Sequence, residues 1–362
     1  MKNLELATRT IARCAKDDKI VVEKSTVPVR TAATLQRIFK ETNPSVKFSV
    51  INNPEFLAEG TAINDLLEPS RVLLGSEQTP DGLAALEVMV NLYNRWVPRE
   101  RIVTTNVWSS ELSKLTANSF LAQRISSINS ISAVCEKVGA DVTEVSRAIG
   151  ADPRLGSKFL TASVGFGGSC FQKDVLDLVY LCEHYGLHEV AEYWLNVIKI
   201  NDYQKRRFAE NIIHSMFDSV NGKKICMFGF AFKKNTGDTR ETAAAYVSKY
   251  LLDEQARIVV YDPKVTETSM FMELDYTCHV NPESYPRLHD MITIVKDPIE
   301  ACRNAHAIVV MTEWDEFKDY DYEAIYKSMM KPAFIFDGRN ILDHSKLKKI
   351  GFEVYNIGKP NF

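Results

Sequence analysis

The chain has 362 residues, 45% hydrophobic and 25% charged, with a formal net charge of -3. That is ordinary globular composition with apolar material for more than one core, and it excludes disorder as the main state. No basic excess points to nucleic acid or an anionic membrane, and no apolar run approaches the roughly 18 residues that a spanning helix needs.

The opening Met1-Lys2-Asn3-Leu4-Glu5-Leu6 lacks the basic-then-apolar pattern of a signal peptide. Seven cysteines are scattered without a CxxC pair. An odd count at long spacing reads as free thiols in a reducing compartment, so a cytoplasmic location is expected.

Residues 4–16 carry Leu4, Ala7, Ile11 and Ala15 at helical spacing, and Lys19 to Glu23 reads as a strand. A helix over 29–40, strands over 47–52 and 72–75 and a helix over 79–93 follow. This alternation predicts part of a parallel α/β sheet. A self-sufficient doubly wound nucleotide domain starts with strand, glycine turn and helix. Here the chain opens in a helix and no GxGxxG occurs, so residues 1–107 read as half of such a domain.

From Trp108 to about Val138, apolar residues recur every three to four positions without proline or glycine. That predicts one helix of roughly 30 residues, about 45 Å long. Helices over 142–150, 172–185 and 188–215 complete a helical middle domain, 108–217. Strand and helix alternation then returns in 218–362, with strands at 224–229, 257–261, 307–312 and 333–336 and helices at 242–255 and 322–330. Residues 265–293 are polar and poorly patterned. The expected architecture is α/β: two Rossmann-like domains, the first incomplete, joined by a helical domain with one long helix.

The strongest local signal is Gly165-Phe166-Gly167-Gly168-Ser169-Cys170-Phe171-Gln172-Lys173-Asp174. Its glycines permit close backbone approach to a ligand, and a cysteine where a helix begins sits among amides that stabilise a thiolate. Lys173 and Asp174 bring a cation and an acid within one turn. The plainer reading is a tight loop with a capping serine and a buried thiol. Asn53 to Gly60 follows the second strand, where α/β ligands bind. Glu55 and Glu59 would share a face if that stretch is helical, and paired carboxylates suit acid/base work; a solvated turn is the alternative. Lys114 and Asn118, four apart on the long helix, form either a polar notch or its solvent side. Gly229 to Arg240 turns off a strand with Lys233, Lys234 and Arg240 as anion-binding charge, without the GK[ST] of a Walker A loop. Asp262 ends the next strand, where a ribose-binding acid would stand, and Arg339 follows the last. The seven histidines make no HExxH or Cys/His cluster, so no metal is expected.

Together Glu23 to Pro28, Asn53 to Gly60, Ser109 to Asn118, Val164 to Asp174, Gly229 to Glu241 and Phe336 to Asn340 resemble the UDP-glucose 6-dehydrogenase family, over essentially the whole chain. The resemblance implies an NAD-binding domain, a central helical domain and a UDP-binding domain. It implies oxidation of UDP-glucose to UDP-glucuronate through a cysteine thiohemiacetal and thioester. It implies catalytic roles for Cys170 as nucleophile, for Lys114, Asp174 and Glu55 in proton handling, and for Asn118 as a donor. Ser25, Thr26, Val27, Glu59, Cys170, Phe171, Gln172, Lys173 and Arg240 match cofactor-binding positions. Glu55, Phe56, Leu57, Ala58, Glu59, Lys114, Asn118, Arg154, Phe232, Lys233 and Arg339 match substrate-binding ones, Arg154 reaching into a neighbouring subunit. A homo-oligomer, dimer or hexamer of dimers, is implied, with no nucleic-acid or membrane partner.

Two departures stand out. The family's first hundred or so residues have no counterpart here, so this chain alone is expected to be a fragment with little turnover. Thr161 occupies a position where the resemblance implies a lysine near the substrate. A silent UDP-sugar-binding or assembly subunit and a dehydrogenase for another nucleotide sugar are the competing expectations.

Overall fold

Every strand and helix named above forms in the computed structural model, which describes residues 2–360, with ends shifted by a few residues. The chain divides into two compact units, 1–118 and 119–362, and the boundary falls inside the long helix Val107–Val138.

The first unit holds a four-stranded sheet of β1 (Lys19–Glu23), β2 (Phe48–Asn52), β3 (Val72–Ser76) and β4 (Ile102–Asn106), in that spatial order. β1 pairs parallel with β2, and β3 with β4. The expectation of a wholly parallel sheet needs correction: β2 and β3 run antiparallel, paired only through Ile51–Ser76 and Asn52–Gly75. β4 escaped the sequence reading because only Ile102 of its five residues is buried, so it shows no apolar run. One side of the sheet packs Ala12, Leu35 and Phe39 on Phe48 and Val50; another cluster joins Ile51 and Leu74 to Met89 and Val90.

The second unit contains helices Val142–Gly150, Phe171–His184 and His188–Ser215 and a six-stranded sheet. Its strands are β5 (Lys224–Phe228), β6 (Arg257–Tyr261), β7 (Ile292–Val295), β8 (Ala307–Val310), β9 (Phe334–Asp337) and β10 (Glu353–Asn356), ordered β10-β9-β8-β5-β6-β7 and all parallel. Strands covered on both faces read as continuous apolar runs, and Cys226 to Phe228 and Ala307 to Val310 are fully buried. The stretch 265–293 is structured after all. Thr266 caps the helix Glu267–Cys278 by accepting a hydrogen bond from the Ser269 amide, and β7 follows. Met270, Leu274 and Cys278 form its buried stripe, but the exposed Met272 and Tyr276 blur the period.

Chain order reverses between β5 and β8, so their carboxyl ends flank a topological switch point, the usual ligand crevice of an open parallel sheet.

Candidate active site

In the first unit, Ser25 to Val27 leave the end of β1 and Asn53 to Gly60 leave the end of its parallel neighbour β2. Both loops therefore open on the carboxyl-end edge of the sheet, where ligands of open α/β sheets bind. The Lys24 ammonium donates to Asn53 Oδ1 at 3.1 Å, and Tyr93 donates to the same oxygen at 2.6 Å, which ties the two loops together. Burial pushes the Lys24 ammonium down against the opposing pull of Glu55. Residues 53–58 are irregular rather than helical, so Glu55 and Glu59 share no helix face, which corrects that expectation. Phe56 instead lies between two cations, with Arg71 at 3.8 Å and Lys114 at 5.0 Å from its ring.

Lys114 and Asn118 are 7% and 8% exposed, which rules out the solvent side of the helix. One turn earlier, the buried Glu111 carboxylate accepts the backbone amides of Arg30 at 2.6 Å and Ala32 at 2.7 Å, anchoring the helix that begins at Thr31. Ser110 donates to Asn52, and Asn52 donates to Glu23. Burial raises the Glu23 carboxyl to about 7, with Asn52 opposing and Glu111 adding to the rise. These Glu23, Ser110 and Glu111 contacts were not anticipated: single polar residues in a strand and a helix carry no spacing signal.

In the second unit Cys170 is the N-cap of the helix Phe171–His184 and its thiol is exposed, so the reading as a buried structural thiol fails. Its Sγ lies 3.7 Å from Ser169 Oγ. Asp174, 1% exposed, holds the Lys173 ammonium at 2.9 Å. Burial works to lower Lys173, but Asp174, Asp177 and Cys170 prevail and raise it above the ordinary lysine value. Phe171 packs edge-on against Phe166. The glycine turn is held by neighbours that leave no room for side chains. A Cβ on Gly165 would stand 2.7 Å from Asn201 Oδ1, one on Gly167 would overlap the Glu241 carbonyl, and one on Gly168 would stand 2.9 Å from the Phe232 ring.

At the switch point Gly229 turns off β5 with φ 89°. Thr312 donates to the Ala231 carbonyl at 2.6 Å, and Arg339 donates to Met311 O at 2.7 Å and Phe232 O at 3.1 Å. Lys233 lies 5.5 Å from the Phe232 ring. Asp262 needs reinterpretation as a structural brace: its carboxylate accepts the backbone amides of Phe230, Ala231, Lys264 and Val265 and the Trp314 indole. Lys234 pairs with Asp315, Arg240 with Asp238, and the exposed Arg154 with Asp152. Thr161 lies in a segment without helix or strand just before the glycine turn. Among the described residues no three His, Cys, Asp or Glu side chains gather as a metal site, and no helix is long and apolar enough to cross a membrane.

Three models of the UDP-glucose/GDP-mannose dehydrogenase family match the chain: the NAD binding domain over residues 1–97, the central domain over 108–203 and the UDP binding domain over 226–344. The chain is 59% identical over 362 residues to the UDP-glucose 6-dehydrogenase of Bos taurus, covering 99% of this chain and 73% of that protein. It is 57% identical over 363 residues to UDP-glucose 6-dehydrogenase 2 of Arabidopsis thaliana, covering 98% and 75%. A solved UDP-glucose dehydrogenase from Pyrobaculum islandicum superposes with a TM-score of 0.81 at 29% identity, over 99% of this chain and 75% of that one. By these matches over the whole chain, with a parallel-sheet crevice beside an exposed helix-capping cysteine in the second unit, the chain belongs to the UDP-glucose/GDP-mannose dehydrogenase family and is by family an NAD-dependent oxidoreductase.

Proposed function

We propose that the chain carries out the four-electron oxidation of UDP-glucose to UDP-glucuronate with Cys170 as covalent nucleophile. The observation that supports this best is the exposed Cys170 at a helix N-terminus, one turn from the buried Asp174 carboxylate and its Lys173 partner. NAD, when bound, supplies the hydride acceptor for both oxidations. Ser25, Thr26, Val27, Glu59, Phe171, Gln172, Lys173 and Arg240 would hold it. Phe56 to Ala58, Arg154, Phe232, Lys233 and Arg339 would hold the nucleotide sugar.

In this reading the C6 alcohol gives its proton to a water held by Asp174, Lys114 stabilises the resulting alkoxide, and departure of a hydride leaves the aldehyde. The Cys170 thiolate adds to the aldehyde carbon to form a thiohemiacetal. Loss of a second hydride leaves a thioester. Asp174 and Glu55 orient and deprotonate water, whose oxygen attacks the thioester carbon and expels the thiolate, while Asn118 donates a hydrogen bond to substrate or water. The reading includes a cytoplasmic homo-oligomer and domain limits of 1–107, 108–217 and 218–362.

A second reading is a UDP-sugar-binding subunit without turnover of its own. It is favoured by the complete six-stranded parallel sheet of the second unit, whose residues 226–344 match the UDP binding domain. The test incubates the purified chain with UDP-glucose and NAD, follows NADH by absorbance and product by chromatography, and measures UDP-glucose binding by calorimetry. Turnover abolished by Cys170→Ser supports the first reading. Binding without turnover supports the second. Undiminished UDP-glucuronate formation by the serine variant removes Cys170 as nucleophile.

A further inference from the structure

A lysine lies fully buried in the second unit, away from the residues assigned above. Lys205, 1% exposed, sits on the helix His188–Ser215 with Asn201 and Gln204, four and one residues earlier. These three buried polar side chains share one face of the helix. Two of them grip the segment leading to the glycine turn. Asn201 accepts the Phe166 amide at 2.9 Å and donates to the Phe166 carbonyl at 3.0 Å, while Gln204 donates to Ser163 O at 2.7 Å.

Lys205 reaches the same turn by a longer route. A buried ammonium is costly unless compensated. Here Asp202 lies at 3.2 Å, and the Tyr246 ring lies 3.6 Å beneath the charge. The Tyr246 hydroxyl donates to Glu241 at 2.6 Å. Glu241 is a non-glycine residue at φ 55°, a left-handed conformation that needs outside support. Glu273 supplies part of it by accepting the Glu241 amide at 2.7 Å. The supported turn in turn holds the glycines: the Gly168 amide donates to Arg240 O at 2.8 Å, and Gly167 packs directly on the Glu241 carbonyl.

We propose that Lys205 and Tyr246 are positioning residues for Cys170: through the 240–241 turn, which holds Gly167 and Gly168, they fix the thiol at the helix N-terminus. The proposal rests on the reading of Cys170 as nucleophile only for its functional meaning. Its physical content is the reactivity of one thiol.

The test compares Tyr246→Phe and Lys205→Met with the parent chain. Each is treated with iodoacetamide, and alkylation of Cys170 is read by peptide mass spectrometry against Cys14, the other exposed cysteine, which lies in the first unit. Cys170 is already exposed, so loosening its turn gains little access and removes the thiol from the helix amides. The Cys170-to-Cys14 rate ratio is expected to fall about threefold or more in Tyr246→Phe, where a single hydroxyl bond is lost and the ring stays. A merely structural role would lower the melting temperature and leave that ratio unchanged. An unchanged or increased ratio overturns the proposal. If Lys205→Met does not fold, Tyr246→Phe decides alone. Turnover surviving in Cys170→Ser would overturn the nucleophile reading while leaving this ratio to stand or fall by itself.

Discussion

Replacing Glu23 by glutamine should stabilise the first unit above neutral pH and change little below about pH 4. Glu23 ends β1 and is 4% exposed; Oε2 accepts from Asn52 at 3.1 Å, while Oε1 has no hydrogen-bond partner. Its carboxyl titrates near 7 in the fold against 4.5 ordinarily, because burial penalises the anion and Glu111 adds repulsion. A raised carboxyl pKa means that the folded state holds the proton more tightly than the unfolded chain. Below 4.5 both states are protonated and nothing is lost. As pH rises to about 7 the unfolded chain ionises first, so stability falls; above 7 the loss is complete. The shift corresponds to a loss on the order of 3 kcal/mol. Glutamine mimics the protonated acid, keeps the acceptor for Asn52 and cannot ionise. Hydrogen exchange of peptides covering Phe48–Asn52, read by mass spectrometry in parent and variant at each pH, cancels the intrinsic exchange rate. The variant's added protection should grow from about 1 kcal/mol or less at about pH 5 to on the order of 3 kcal/mol at about pH 8. Parallel profiles across that range would refute the reasoning.

Asp262→Ala leaves four amides after β5 and β6 and the Trp314 indole without their acceptor, several of them buried, and should cost about 3–5 kcal/mol in urea unfolding of the second unit. Gly229→Ala demands a side chain at φ 89° and drives its Cβ into Thr312, so a large fall in soluble yield and melting temperature is expected. Arg339→Ala removes a guanidinium that spans the Met311 and Phe232 carbonyls beside the proposed UDP crevice. It should weaken UDP binding about tenfold by calorimetry, about 1.4 kcal/mol.

Long elements with a strict period were legible in the sequence. The helix Val107–Val138 and the runs Cys226 to Phe228 and Ala307 to Val310 declare themselves because burial on one or both faces demands continuous apolar residues. The glycine-cysteine turn was legible because its backbone leaves no room for other residues. What stayed hidden depends on distant partners. Asp262 looked like a ribose acid at a strand end, yet Trp314 and the loop after β5 claim its oxygens. Lys205 stands in the run Lys205-Arg206-Arg207, which carries no sign of burial, and only the fold places Tyr246 beneath it. The antiparallel pairing of β3 with β2 rests on two residue pairs and leaves no composition signal.

The all-parallel order of the second sheet also divides its loops by what they can tolerate. Every segment leaving a carboxyl end, after β5, β6, β8 or β9, opens on the crevice edge, and a change there alters what the crevice can hold. The connections at the amino ends emerge on the opposite edge. Gly222, before β5, faces open space where a side chain would project, and its amide bond to Gln255 joins two turns that both lie on that far edge. A reporter domain inserted at Gly222 would therefore sit about a strand length, roughly 17 Å, from the crevice. Fluorescent or affinity handles belong on that edge, while efforts to redirect the nucleotide sugar belong in the loops at 229–240, 311–314 and 338–340.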